Sequence, residues 1–282
     1  MVVLWAVVAA FLYGTADFLG GAASRRASAL SFLAVSTPAG AVIILATALM
    51  AGGRASAGSL GWGFAGGAVS GVGIILFFAG LAAGPMSVVA PLSALTAAVL
   101  PVGVAVADGE RFGATVLAGA LLCLASIVLV SLEKGDAGPL GRQPVVRGVA
   151  CGIAAGVMFG LYFLFIRNAA SSGGIWPLAA SRGAGAAIVL IAAAWRHSRP
   201  IRLNAGGRLP AMALASGAGD AAASLLYVLA VRSGPFGLAV LITALYPAVT
   251  VLLARLVLGE QMRTAQRAGL ALGALGIILV TA

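Results

Sequence analysis

Three ionisable residues interrupt long apolar stretches of this chain: Asp17, Arg182 and Asp220. An Asp or Arg at the centre of a membrane-spanning helix costs about 2.5–3.5 kcal/mol on insertion scales, so such residues usually face a cavity or an opposite charge. We predict that Asp17 and Asp220 form the polar part of a central cavity, with Arg182 offsetting their charge. The alternative is that Arg182 and Asp220 only neutralise each other between adjacent helices.

The tyrosines give a second set of polar groups in the same apolar stretches. Tyr13 precedes Asp17 by four residues, so both side chains project from one face of a helix. A buried phenol needs a hydrogen-bond partner, which an inward cavity would supply. We therefore add Tyr13 and Tyr246 to the candidate cavity for a substrate or coupling ion. Ordinary hydrogen bonding between helices is the alternative for each tyrosine.

The sequence offers little for catalysis or metal binding. His197 is the single histidine and lies in an Arg-rich stretch, while Cys123 and Cys151 lie in or beside apolar runs, where we expect them to pack. No H-E-x-x-H motif, phosphate-binding G-x-x-x-x-G-K-[ST] loop or readable nucleophile–base pair is present. We expect no catalytic residue, no bound metal and no cofactor.

The composition predicts an integral membrane protein. Hydrophobic residues make up 62% of the chain and charged residues 9%, and the stretch between Arg54 and Asp108 carries no charge. About 20 apolar residues form a membrane-spanning helix, so this stretch must contain at least two. The apolar runs are continuous and lack the alternation of a barrel strand, which favours helices in a lipid bilayer. The net charge of +10 comes from scattered Arg residues typical of loop anchors, so nucleic acid is not an expected partner.

Charges, Gly-Pro pairs and polar clusters divide the chain into ten apolar segments. The predicted fold is therefore all-α, with ten transmembrane helices whose ends lie near the four tryptophans, as in an interfacial aromatic belt. Pro247, inside the ninth segment, is expected to kink its helix. The predicted segments are 2–22, 29–50, 59–82, 86–106, 113–132, 148–167, 175–195, 209–231, 236–257 and 266–281.

The two halves of the chain repeat each other. Gly84-Pro85 recurs as Gly234-Pro235, and Gly109-Glu110 recurs as Gly259-Glu260 at the same spacing. Tyr13-Gly14 aligns with Phe159-Gly160. The repeat pairs each candidate charge with an uncharged residue, so the charges break its symmetry: Asp17 matches Phe163, Asp220 matches Ser70 and Arg182 matches Thr37.

The repeat predicts the domain organisation. Residues 1–132 form a first five-helix repeat, residues 133–147 a polar linker loop, and residues 148–282 a second five-helix repeat. Because five is odd, the second repeat enters the membrane from the opposite side. Such inverted repeats build a site at the bilayer midplane and permit alternating access.

Glycines spaced four residues apart form stripes along several predicted helices. Gly63, Gly67 and Gly71 form one, and Gly148 to Gly160 form another at every fourth position. Small residues at this spacing allow helix backbones to approach closely in lipid. We therefore predict close helix contacts along these stripes, with a sliding surface as the alternative.

The chain resembles the EamA family of the drug/metabolite transporter superfamily over nearly its whole length. The order and duplicate spacing of its motifs carry the resemblance: Tyr13–Phe18 (YGTADF), Gly84–Ser87 (GPMS), Gly109–Arg111 (GER), Gly259–Gln261 (GEQ), and Gly119 and Gly269 in the closing segment of each half. The resemblance implies two five-helix repeats and secondary transport, often export, of small metabolites such as amino acids or of amphipathic compounds.

The predicted function is a secondary transporter, an exporter of a small metabolite or amphipathic compound that works by alternating access. Its predicted partners are this small-molecule substrate, the lipid bilayer and, as a candidate coupling ion, protons. The alternatives are a membrane-embedded lipid-modifying enzyme and a lipid-translocating membrane subunit. The sequence carries no signal for one substrate or one oligomeric state.

The charge pattern and the resemblance give opposite orientations. Loops after odd-numbered segments carry most of the Lys and Arg residues, which predicts that these loops are cytoplasmic and both termini outside. The family resemblance implies that both termini lie inside. The Arg-rich, Ala- and Gly-heavy composition suggests a bacterial chain, and hence a multi-pass protein of the inner (plasma) membrane.

Overall fold

A computed structural model describes residues 1–24, 28–53, 56–83, 86–109, 113–130, 142–170, 174–196, 208–258 and 264–281. These residues form eleven helices and no strand. Gly84-Pro85, Glu110, His197 and Glu260 lie outside the described residues. The helices are α1 (Val2–Ser24), α2 (Ala29–Ala51), α3 (Ala57–Ala83), α4 (Met86–Ala107), α5 (Ala114–Val130), α6 (Arg142–Ala170), α7 (Trp176–Trp195), α8 (Arg208–Ser233), α9 (Phe236–Thr243), α10 (Tyr246–Leu258) and α11 (Thr264–Thr281).

The helices follow the predicted segments in order, and α6 shows the largest shift of a boundary. It begins at Arg142, inside the stretch that was predicted to be a linker loop. Pro144 lies in its first turn, where the missing N–H would have no helical partner in any case. The prediction of a loop over 142–147 is therefore wrong, because the helix extends beyond its apolar part; residues 133–141 lie outside the described residues.

The ninth predicted segment is broken into two helices. Pro247 has no N–H for the carbonyl of Thr243, and its ring clashes with that carbonyl in a continuous helix. The chain instead turns at Ala244–Leu245, where the Leu245 N–H donates to the Ile242 carbonyl at 3.1 Å. The predicted kink is thus a full interruption, and it places Tyr246 at the start of α10.

The length and surface of the helices confirm an all-helical membrane protein. Large apolar side chains such as Phe11, Leu45 and Phe64 are exposed on the outside, whereas many buried positions are Ala, Gly or Ser. This arrangement suits a lipid-facing surface around a closely packed interior. Six of the described helices are long and apolar enough to cross a membrane, over Val2–Ala23, Ala29–Ala51, Ala57–Gly80, Val146–Ala169, Trp176–Trp195 and Arg208–Ser233.

Helices from before the linker pack mainly on helices from after it. α3 packs on α6 and α7, while α8 packs on α1 and α2. α4 packs on α6, and α9 and α10 pack on α1. Three further pairs, α2 with α7, α5 with α11 and α4 with α9, also join the two halves. The halves therefore interlock, and any central space is bounded by both.

Glycines determine how closely α3 and α7 approach. A Cβ atom added to Gly67 would overlap the carbonyl group of Ser181, and one added to Gly63 would overlap that of Pro177. In α8, Gly217 lies against the carbonyl of Ser36 on α2 in the same way. The predicted role of the α3 glycine stripe in close helix contact is confirmed.

The glycine stripe of α6 has the same role against α4. Three of its glycines contact the α4 backbone at successive turns: Gly152 lies against Val89, Gly156 against Ser93 and Gly160 against Ala97. Because the partner atoms include backbone carbonyl oxygens, a larger side chain has no flexible neighbour to displace. Both stripes are therefore contact surfaces.

We expect Gly67→Ala to lower the free energy of unfolding by about 1–3 kcal/mol, because the added methyl group overpacks a backbone contact. Gly61→Ala is the matched control on the same helix, since an added Cβ meets nothing within 4 Å there. It should be neutral or stabilising by up to about 1 kcal/mol. Unfolding by SDS in mixed micelles measures both, and equal effects would contradict the close contact.

Candidate functional site

A cavity with two adjoining lobes lies between the two halves of the chain. The lobes have volumes of about 70 Å³ and about 100 Å³, enough for several water molecules in each. Five residues line both lobes and mark where they meet: Asp17, Ser70, Ile74, Arg182 and Asp220.

All five predicted site residues line one of these lobes. Tyr13 and Asp17 come from one face of α1, Arg182 from α7, Asp220 from α8 and Tyr246 from the start of α10. We call this lobe the aromatic lobe, because its remaining wall includes four further aromatic rings from α3 and α6. The structure brings the five together, and their role in binding a substrate or ion stays a prediction.

Arg182 and Asp220 form an ion pair across the cavity. Nη1 of Arg182 contacts Oδ2 of Asp220, and Nη2 donates to the Ser224 hydroxyl. α7 and α8 are consecutive in the chain but are not among the closely packed helix pairs, so the long Arg182 side chain spans the space between them. The alternative in which these two residues neutralise each other therefore fits the geometry. Arg182 offsets Asp220 directly, and Asp17 has no ion pair with it.

Ser224 holds this ion pair in a network that crosses the two halves. Its hydroxyl donates to the Asp220 carbonyl oxygen at 2.7 Å, so its lone pairs accept from Arg182 and from the Tyr13 hydroxyl, which is 2.9 Å away. One serine thus connects α1, α7 and α8. It therefore helps to position two side chains of the aromatic lobe, Tyr13 and Arg182.

Asp17 is the carboxylate that the network leaves out. Among the residues that the structure describes, it makes no hydrogen bond and no ion pair, and it borders both lobes. It lies within electrostatic range of Asp220 and of the Tyr246 hydroxyl. An ionised group at membrane depth needs a partner or water. Asp17 is therefore the group in the cavity with free capacity to bind a proton or a cation.

Aromatic rings from α1, α3, α6 and α10 line the lobe that contains the free carboxylate. Tyr13 and Tyr246 meet edge to face, with ring centroids 6.4 Å apart. In the same lobe, the ring centroids of Tyr162 and Phe163 are 5.6 Å apart, and those of Phe77 and Phe159 are 6.1 Å apart. Such rings offer flat apolar contact surfaces with electron-rich faces.

The other lobe, which we call the hydroxyl lobe, is lined by α1, α2, α3, α7 and α8. The Thr37 hydroxyl donates to the Leu33 carbonyl at 2.8 Å, and the Ser216 hydroxyl donates to the Ala16 carbonyl at 3.0 Å. Each of these hydroxyls donates its hydrogen to a backbone carbonyl, so only its lone pairs are available to other groups. This lobe therefore offers hydrogen-bond acceptors.

A packed apolar layer separates the aromatic lobe from one end of the bundle. It contains buried side chains of α6, α8 and α9, among them Ile166, Tyr227 and Val240. Beyond it, Arg167 forms an ion pair with Asp108 at 2.6 Å and lies over the Phe236 ring at 4.7 Å, a cation–π distance. The carboxyl-terminal ends of α4 and α6 meet the start of α9 at this end. The cavity is closed there in this conformation.

Sequence reasoning missed Ser70 and Phe163, which line the cavity, and Ser224, which holds the ion pair beside it. The signals were present: Ser224 follows Asp220 by four residues and so shares its helix face. Ser70 and Phe163 are the repeat equivalents of Asp220 and Asp17, and Thr37, the equivalent of Arg182, lines the hydroxyl lobe. Applying the repeat to the charged positions would have identified all three equivalents.

Comparison with known proteins places this geometry in a family. A sequence model described as the EamA-like transporter family matches residues 1–132 and 146–282. A search of curated proteins finds no match. A solved crystal structure with 20% sequence identity covers 99% of this chain and 96% of its own, with a TM-score of 0.78. At this identity the likeness shows the fold alone.

We expect Arg182→Gln and Asp220→Asn each to lower the free energy of unfolding by about 3 kcal/mol, because either one leaves a charge unpaired at membrane depth. The double variant should lose less than the sum, with a coupling of about 1–3 kcal/mol. Unfolding of the unchanged protein, the two single variants and the double variant in SDS gives a double-mutant cycle. Additive losses would mean that the ion pair contributes nothing to stability.

Proposed function

This chain belongs to the EamA-like transporter family, and on that premise we propose that it is a secondary transporter that exports a small metabolite or amphipathic compound. The observation that carries the proposal is the cavity between the halves, which holds one paired and one free carboxylate. Intramembrane ionisable groups mark substrate or ion pathways. A cavity that both halves enclose is the kind of site that alternating access requires.

Two inverted repeats are the proposed basis of this mechanism, with boundaries at 1–132 and 148–282. In the proposed repeat, α3 corresponds to α8, α6 to α1 and α7 to α2. The α3–α6 and α3–α7 pairs therefore correspond to the α8–α1 and α8–α2 pairs, and all four pairs are packed. The contact of Gly67 with Ser181 has its counterpart in that of Gly217 with Ser36. The two segments matched by the family model support the same division.

Alternating access requires the closed end of the cavity to open. The layer around Tyr227 and Val240 would separate, and the Arg167–Asp108 pair would break. Exposed ion pairs contribute about 0–1 kcal/mol, so this contact is a weak barrier to opening. Closure at the other end would then complete the cycle.

We propose protons as the coupling ion, with Asp17 as the group that carries them. Its carboxylate borders both lobes and lacks a partner among the described residues. A proton and a solute would therefore compete for this carboxylate. The Arg182–Asp220 pair is already neutral as a unit. A proton on Asp17 would therefore change the net charge of the cavity by one.

A lipid-modifying enzyme and a lipid-translocating subunit are the competing functions. Membership of a transporter family argues against the enzyme. Free carboxylate and hydroxyl groups inside the bundle suit a solute site between helices better than a purely structural subunit. A carrier changes how a solute is divided across the membrane, whereas an enzyme changes its total amount. The proposed location is the inner (plasma) membrane, and a reporter on the carboxyl terminus distinguishes the two orientations.

Overexpression in cells should change the ratio of at least one metabolite outside and inside the cells, without changing its total. Asp17→Asn should reduce this effect by about tenfold or more and remove its dependence on external pH, because the proton-carrying group is lost. Asp220→Asn should also reduce it, since Arg182 loses its partner.

The matched control is Asp136→Asn, which makes the same substitution in the predicted linker. Metabolite profiling of cells and medium, with protein amounts in the membrane fraction equalised, provides the measurement. Transport by Asp17→Asn at the rate and pH profile of the unchanged protein would refute the role of Asp17. A changed total with an unchanged ratio would favour the enzyme.

A further inference from the structure

We infer that the cavity selects small organic cations: compounds with one positively charged nitrogen on a flat apolar body. Asp17 is the group that binds the nitrogen, and the aromatic lobe binds the body. This inference rests on the proposed function, because it treats the same cavity as the transport site. It narrows the substrate from any small metabolite to one charge class.

The charge balance of the cavity favours a cation. Among the described residues that line the two lobes, the groups that carry charge are Asp17, Arg182 and Asp220. Arg182 and Asp220 cancel each other through their ion pair. An ionised Asp17 therefore leaves one net negative charge. In a low-dielectric cavity such a charge attracts a cation and repels an anion strongly.

Arg182 has little to offer an anionic group. Its two terminal nitrogens are engaged with Asp220 and Ser224. Its remaining nitrogen, Nε, is fully buried and therefore out of reach of a solute in the cavity. A carboxylate on a substrate would have to displace Asp220 while lying near Asp17. This argues against anions and also against zwitterions such as amino acids.

Two hydroxyls of the hydroxyl lobe and two rings of the aromatic lobe favour the same charge class. In the hydroxyl lobe, Thr37 and Ser216 use their protons on backbone carbonyls and so present acceptor lone pairs. Acceptors bind the N–H groups of a cation and give nothing to a carboxylate. In the aromatic lobe, the Tyr13 and Tyr246 rings lie beside Asp17 and can contact a cation through their faces. Charge, hydrogen bonding and ring contacts thus agree.

Three ligands with the same ring and nearly the same length test this inference. 2-Phenylethylamine is a cation, phenylalanine a zwitterion and 3-phenylpropionate an anion at neutral pH. Calorimetric titration of the full-length protein in lipid nanodiscs should show the amine binding at least about tenfold more tightly than the other two, a difference of about 1.4 kcal/mol. Equal or tighter binding of phenylalanine or phenylpropionate, or no binding of the amine at millimolar concentration, would overturn the inference.

Variants at Asp17 show whether the carboxylate is responsible. Asp17→Asn should weaken amine binding by about tenfold or more, because the charge-assisted hydrogen bond is lost. Asp17→Glu keeps the charge and should retain most of the affinity, and Asp136→Asn should leave it unchanged. Amine binding that is the same in Asp17→Asn, with both variants folded by thermal unfolding, would overturn the assignment.

Proteoliposomes separate this inference from the proposed function. Uptake of labelled 2-phenylethylamine that depends on the protein supports both. Binding in nanodiscs without any uptake contradicts the transporter and leaves the cation site in place. Export of another metabolite by cells, combined with no amine binding, contradicts the cation site and leaves the transporter in place.

Discussion

Charge inside a bilayer must be paired or hydrated, and this constraint accounts for the arrangement around the cavity. Arg182 crosses from α7 to reach Asp220 on α8, although these helices are not closely packed on each other. Ser224 then fixes the pair and connects it to Tyr13 on α1. Asp220 neutralises the guanidinium at this depth. Among the described cavity residues, this leaves Asp17 as the unpaired charge. The proposed binding of a solute and a proton at Asp17 therefore depends on the pairing of Arg182 with Asp220.

Glycine contacts set how the helices pack around the site, and the charged residues set its chemistry. The contacts of Gly67 with Ser181 and of Gly217 with Ser36 occupy equivalent places in the two proposed repeats, so the framework agrees with that proposal. The charges do not follow it: Phe163 stands where the other half has Asp17. A framework made from backbone contacts tolerates such differences, because Asp17, Arg182 and Asp220 are not among the residues that the described glycines contact closely. Substrate preference can then change without altering how the helices approach each other.

The sequence predicted the helices, and it identified five residues that the structure brings together in one cavity, because both leave local signals. Runs of apolar residues define helix length, and an Asp or Arg within such a run is costly enough to indicate an inward position. The sequence could not predict that α9 ends at Thr243 rather than kinking, since Pro247 is compatible with both outcomes. It also left the partner of Arg182 open between two carboxylates. That choice depends on where α1, α7 and α8 lie in space, which no spacing along the chain encodes.

The unpaired charge of Asp17 would also limit how a transporter of this kind changes conformation. With Asp17 ionised and the cavity empty, opening to the other side would carry one net charge through part of the membrane potential, which costs up to about 2.3 kcal/mol per 100 mV for a full crossing. A bound proton or a monovalent cation removes that charge and leaves the Arg182–Asp220 pair intact. The neutral states would then be the ones that cross easily. Under the proposed function, a proton would exchange for a cationic solute, because either one would neutralise Asp17 and exclude the other.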